Sequence, residues 1–235
     1  MIRISPRVSR YGDAGLLVEY EPVIDAGVNA TVLAAAEALR RRQLPGVRDI
    51  VPAFSSIGVH FDPLGCAVDD LEAAVAEAVA DVAPDEVSSG AAPALEIPVC
   101  YGGQFGPDLD AVAAWAGCSG SEVIAAHAAT TYRVYMLGFL PGFAYLGTVD
   151  PRIAAPRHEA PRMRVAAGSV GIAGPQTGVY PLDSPGGWRI IGRTPIPLFD
   201  SRRTPPARIR PGSSVRFVPI PPAEFDGLRD AAPWL

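Results

Sequence analysis

The residues best able to do chemistry crowd between Leu137 and Asp200. Three segments there, LGFLPGFAYLG, PRMRVAAGSVGIAGPQTGVYP and SPGGWRIIGRTPIPLFD, carry glycine far more often than ordinary core strands tolerate. Arg162 and Arg193 flank the glycine-rich stretch. A guanidinium fork suits two-point binding of a carboxylate or phosphate, and it equally suits an ion pair within the fold. Gln176 and Thr177 stand between glycines in PQTGVYP. A primary amide there can donate and accept toward a ligand, or bond its own turn. Tyr180 and Trp188 read as pocket walls or as plain core. The backbone at Gly142, Gly168, Gly174 and Gly178 either offers N–H groups to a small polar ligand or turns tight barrel corners. His127 is the best available proton carrier. It lies on a short helix beside Val123 and Ile124, where it reads either as a general acid/base or as a packed, hydrogen-bonded core residue.

Several chemistries fall away. All 20 basic residues are Arg, so there is no Schiff-base lysine, no P-loop lysine and no lysine to carry biotin on this chain. The three His (His60, His127, His158) and three Cys (Cys66, Cys100, Cys118) are scattered, without HxxxH, HExxH or CxxC spacing, and no metal site is expected. GxSxG, Walker A and GxGxxG are absent, although Ser169 and Ser184 lie in the glycine-rich region.

Composition bounds the rest. With 235 residues, 49% hydrophobic and 19% charged, the chain can bury a real core and is not globally disordered. Its net charge of −5 argues against nucleic acid as partner. No apolar run is long enough to cross a membrane, and MIRISPRVSRYGD lacks a signal-peptide core, so a cytoplasmic protein is expected. Charge is uneven: residues 49–132 hold 13 acids and no base, whereas residues 133–235 hold 13 Arg against seven acids. That basic island faces an anionic ligand or an acidic partner, or else pairs with the acidic middle.

Two kinds of element must position these residues. Up to about residue 90 the chain reads β-α-β-β-α: a strand at GLLVEY, a helix capped by Asn29 and running to about Gln43, strands over residues 47–51 and 56–61, and a helix from Asp69 or Asp70. DVAPDEVSSGAAPA is the expected linker. Beyond it come a strand over residues 95–100, a helix over 108–116, and a second helix opened by a Ser119-x-x-Glu122 capping box. The strand YRVYML follows, then short strands cut by Gly and Pro over residues 164–166, 170–173, 179–180, 188–192 and 215–219. The expected fold is an α+β N-terminal domain (residues 1–90) followed by a mainly β, closed barrel domain (residues 91–235).

These segments, with IPVCYGGQFGPDL, resemble the family of KipI and the 5-oxoprolinase B subunit, also called carboxyltransferase subdomain C and D, from GDAGLLVEY through VRFVPI. The resemblance implies a cyclophilin-like barrel and ATP-dependent opening of 5-oxoproline to glutamate, performed together with the A and C subunits of 5-oxoprolinase. For that activity the residues read above supply the expected roles: Arg162 or Arg193 to hold the substrate carboxylate, Gln176 with loop N–H groups to hold the lactam, and His127 as the best available proton carrier. Two relatives give alternatives: an inhibitor of a sensor histidine kinase, and a carboxyltransferase module acting on urea or another small amide. Gln104 and Pro175 depart from the family pattern, where Glu and Gly are usual. A member of such a complex should expose apolar surface, and residues 219–235 with the aromatics of LGFLPGFAYLG are the expected patch. A homo-oligomer or a stable complex with the C subunit would follow.

Overall fold

The computed structural model describes residues 6–80, 82 and 93–231, excluding the side chains of 230 and 231. Most of the linker at residues 81–94 lies outside this range. The chain divides into two units, Met1–Ala91 and Ala92–Leu235.

In the first unit four strands form one antiparallel sheet. They are β1 (Arg7–Arg10), β2 (Gly15–Glu19), β3 (Val47–Pro52) and β4 (Ser56–Phe61), in the order β1-β2-β4-β3. The helices α1 (Ala26–Arg42) and α2 (Val68–Ala80) share its core of Leu16, Val18, Val32, Leu39, Ile57, Val59, Leu71 and Val75. The first helix starts earlier than expected. Asp25, not Asn29, is the N-cap, and its carboxylate accepts from the Gly27 and Val28 N–H groups. Asn29 is fully buried one turn in, where its amide donates to the Ala53 and Phe54 carbonyls at 3.2 Å. The edge strand β1 has no counterpart among the expected strands. Two of its four residues are arginines, and half-exposed positions carry little apolar alternation.

The second unit is a closed seven-stranded barrel. Its strands are β5 (Leu95–Tyr101), β6 (Thr131–Leu137), β7 (Ala144–Gly147), β9 (Ser169–Ala173), β10 (Gln176–Val179), β12 (Arg189–Arg193) and β13 (Ser214–Pro219), in the order β10-β7-β6-β13-β5-β12-β9. Closure by the β9–β10 hairpin leaves the barrel without a free edge. Only β13 and β5 run parallel; the other neighbours are antiparallel. A small outer ribbon pairs β8 (Arg162–Val165) with β11 (Ser184–Gly186). Helices α3 (Leu109–Ala116) and α4 (Gly120–Ala129) precede β6, and α4 opens with the expected capping box at Ser119 and Glu122. A last helix, α5 (Phe225–Ala231), follows β13. The barrel core, including Ile97, Val134, Leu146, Ile172, Val215 and Phe217, is almost wholly sequestered. Removing each such aliphatic side chain from water contributes about 1.5–3 kcal/mol.

Candidate anion site

Arg193, at the end of β12, borders a cavity of about 300 Å3, whose lining includes Gly168, Tyr180, Pro195, Phe225 and Arg229. Its Nε donates to the Ala167 carbonyl at 2.8 Å, and its guanidinium carbon stands 5.9 Å from the centre of the Phe225 ring. Those two contacts fix the plane of the cation while leaving its terminal nitrogens uncommitted to the Ala167 carbonyl. Among the described residues no carboxylate stands within ion-pair distance of Arg193, whereas Arg152, Arg164, Arg202 and Arg203 each pair with a nearby Asp. Part of the basic island is thus paired within itself and Arg193 is not, although its charge helps hold the nearby Asp183 carboxyl below its ordinary value.

The backbone around the cavity is already spent. Gly168 N–H donates to the Tyr180 carbonyl, Thr194 N–H to the Gly168 carbonyl, and Ile196 N–H to Thr194 Oγ1. Gly174 N–H is likewise bonded, to the Ala155 carbonyl. Gly168 and Gly174 are therefore not an open cradle of N–H donors. Gly168 is needed for another reason: its φ is +84°, and a Cβ there would stand 2.3 Å from the Thr194 carbonyl oxygen. Gly178 admits the Phe143 and Trp188 rings, and Gly142, at φ +80°, admits Phe199.

Arg162 is not a free anchor. Its two terminal nitrogens donate to Asp108 at 2.8 and 2.6 Å, and Nη1 also lies 2.9 Å from His158 Nε2. Asp108 in addition accepts the Ile190 N–H at 2.7 Å. Burial raises the Asp108 carboxyl, but Arg162, the Ile190 N–H and His158 together hold it below its ordinary value. The fork predicted for a ligand thus ties α3 to β8 and β12.

His127 is a core histidine. It is fully buried, stacked on Phe217 with ring centres 4.6 Å apart. Nδ1 lies 2.8 Å from Tyr101 Oη and Nε2 lies 2.9 Å from Thr177 Oγ1. Thr177 spends its single hydroxyl hydrogen on the Gly171 carbonyl, so Nε2 must donate and Nδ1 must accept from Tyr101. Burial pushes this imidazole down to about 3. Both nitrogens are engaged and the ring is neutral, which corrects the expectation of a proton carrier. Thr177 is its buried partner rather than a ligand contact.

The remaining candidates divide. Tyr180 borders the cavity, and its ring packs edge-on against Phe143, which in turn meets Trp188 at 5.5 Å. Trp188 is therefore a layer removed from the cavity. Gln176 is half-buried in β10, beside Gly147 and Ala173, and does not border the cavity. Of the predicted set the structure brings Arg193, Gly168 and Tyr180 together. It adds Phe225 and Arg229, which lie in the stretch expected only to expose apolar surface. Phe225 is in fact buried, 4.6 Å from Phe105 by ring centres. Phe139 in the first glycine-rich segment is exposed as expected, whereas Phe143 is buried.

Comparison with known proteins bears on this architecture. Residues 6–209 match the family model for the carboxyltransferase domain, subdomain C and D. A Bacillus subtilis protein named as the B subunit of 5-oxoprolinase is 42% identical, covering 95% of this chain and 97% of its own length. The Escherichia coli O157:H7 protein of that name is 42% identical over 88% of this chain and 93% of its own. The crystal structure of TTHA0988 superposes with a TM-score of 0.77 at 37% identity, covering 88% of this chain; this chain spans 39% of that one. The chain belongs to the carboxyltransferase subdomain C and D family, in the branch that includes the 5-oxoprolinase B subunits.

Proposed function

We propose that this chain is the B component of a 5-oxoprolinase, opening 5-oxo-L-proline to L-glutamate together with the A and C subunits and coupled to ATP hydrolysis. The carrying observation is 42% identity to a 5-oxoprolinase B subunit along nearly the whole of both chains. The reading brings with it a cyclophilin-like class for the barrel and a cytoplasmic location. Among the described residues no helix is long and apolar enough to cross a membrane.

Amide resonance makes the lactam a poor electrophile, and ATP supplies the activation by turning its oxygen into a leaving group. We assign that step to a companion chain, because the Gly168 and Gly174 N–H groups that a phosphate would need are bonded within the fold. This chain contributes substrate binding. Arg193, fixed by Ala167 and Phe225, holds the 5-oxoproline carboxylate through its terminal nitrogens, and Tyr180 and the neighbouring prolines border the ring. Reconstitution tests the proposal. The A and C subunits with this chain, 5-oxoproline and ATP should yield glutamate and phosphate, and omission of this chain should abolish both. A complete mixture that makes no glutamate overturns it.

A further inference from the structure

We infer that Asp183, immediately before β11, is a positioning residue for the Arg193 guanidinium and acts on it through the turn at residues 166–169. Its consequence for the substrate, though not the contact itself, rests on the carboxylate anchor proposed above. Strand pairing brings the parts together. β8 runs antiparallel to β11 with Ser184 opposite Val165, so Asp183 falls beside the turn that carries β8 into β9. In that turn Ser169 N–H donates to the Ala166 carbonyl at 3.1 Å, and Gly168 in the third position has a φ of +84°, as a type II turn requires. Ala167, in the second position, is held on both sides. Its N–H donates to Asp183 Oδ1 at 2.7 Å, and its carbonyl accepts from Arg193 Nε at 2.8 Å.

The rest of the turn is secured elsewhere. Gly168 and Ser169 are tied to the barrel through Tyr180 and Thr194, whereas Ala167 spends its N–H and its carbonyl on these two side chains. The carbonyl that fixes the plane of Arg193 is therefore held in place by Asp183. The Arg193 stem depends on the same turn, since a Cβ on Gly168 would stand 3.4 Å from Arg193 Cγ. Asp183 is itself fixed, because Arg164 donates to Oδ2 through Nε and Nη2 at 2.9 and 2.6 Å and leaves Oδ1 to Ala167. The Ala167 N–H, then Arg164, and last the charge of Arg193 hold the Asp183 carboxyl below its ordinary value. Asp183 nevertheless makes no ion pair with Arg193. It aims the cation through a peptide without neutralising it, and the terminal nitrogens keep their charge for a ligand.

Nitrogen-15 NMR on the full isolated chain reads the contact without turnover. The Arg193 Nε–H signal, assigned by its loss in Arg193→Lys, should exchange slowly with water, and about tenfold faster in Asp183→Ala. The Ile190 N–H, bonded to Asp108, should keep its rate, which excludes a general loosening of the fold. Arg164→Gln, which removes only the surface pair, should leave the Arg193 signal unchanged. In the complex assembled with the A and C subunits, Asp183→Ala should raise the KM for 5-oxo-L-proline about tenfold with kcat kept, and add nothing further to Arg193→Gln. An Arg193 Nε–H that exchanges freely in the unmutated chain, or at the same rate in Asp183→Ala, overturns the inference. So does an equal rise in Arg164→Gln, or a KM effect of Asp183→Ala that persists in full beside Arg193→Gln. If Arg193→Gln alone leaves KM unchanged, the substrate anchor is lost instead, and the NMR result still decides whether Asp183 positions Arg193.

Discussion

Asp108 receives both terminal nitrogens of Arg162, at 2.8 and 2.6 Å, although 54 residues separate the two and the Asp108 side chain is only 6% exposed. Asp108 stands at the N-cap position of α3 yet makes no side-chain cap bond, because its oxygens are turned to Arg162 and to the Ile190 N–H. The pair thus joins one helix to the outer ribbon and to a barrel strand.

Removing Arg162 should therefore destabilise the fold more than it affects binding at the Arg193 cavity. Breaking a buried pair from one side costs about 3–5 kcal/mol, and the one-third exposure of Arg162 reduces this to about 2–3 kcal/mol for Arg162→Ala. Urea denaturation of the full chain measures it. Acid should act on the same contact. The folded carboxyl titrates below its ordinary value, so its stabilisation is present above pH 3.8 and lost as pH falls through the lower folded value. Asp108→Asn should flatten that part of the stability profile.

His127 sets a second and higher pH window. Its folded value of about 3 lies below the ordinary 6.5, so between these limits the unfolded chain binds a proton that the folded chain refuses. Stability should rise with pH across that interval, by up to about 1.4 kcal/mol per unit, and be lost as pH falls through it. His127→Gln keeps hydrogen-bonding groups at the site and should abolish this slope. A profile from pH 6 to 4 that is unchanged in the variant would remove His127 as its source.

Gly168→Ala should destabilise strongly for two separable reasons. The positive φ costs a β-carbon residue about 1–2 kcal/mol, and the close Thr194 carbonyl adds about 1–3 kcal/mol of overpacking. Gly103→Ala, also at positive φ but with open space around the added methyl, should show the first cost alone. Thermal melts of the two variants compare them directly.

The barrel was legible in the sequence because its strands alternate with glycine turns, and the Ser119 box announced α4 through its own side chains. β7 and β11 were missed: they are four and three residues long, within stretches whose Gly and Pro content reads as loop. Asn29 misled because Asn is a good cap, and nothing local distinguishes a cap from an amide drawn inward by the distant Ala53 and Phe54 carbonyls. The same limit governs the site. Arg162 and Arg193 look alike as residue types, and only the arrival of Asp108 from another element commits one and leaves the other facing the cavity. Phe225 carries no motif at all, since its place against the Arg193 guanidinium comes from where β13 delivers the chain.

Arg193→Lys tests the substrate anchor most directly. Lysine keeps the charge but loses the planar two-point contact, the Nε bond to Ala167 and the stacking surface for Phe225. In the complex assembled from this chain with the A and C subunits, its affinity for 5-oxo-L-proline should fall by about 1.5–3 kcal/mol, roughly tenfold to a hundredfold. Arg202→Lys supplies the control. That side chain is 86% exposed and pairs with Asp200 away from the cavity, so its loss should leave binding unchanged. A urea midpoint for Arg193→Lys close to that of the unmutated chain would separate lost binding from lost folding. If Arg193→Lys then binds substrate as well as Arg202→Lys does, Arg193 braces the Ala167 loop and the substrate carboxylate is held elsewhere.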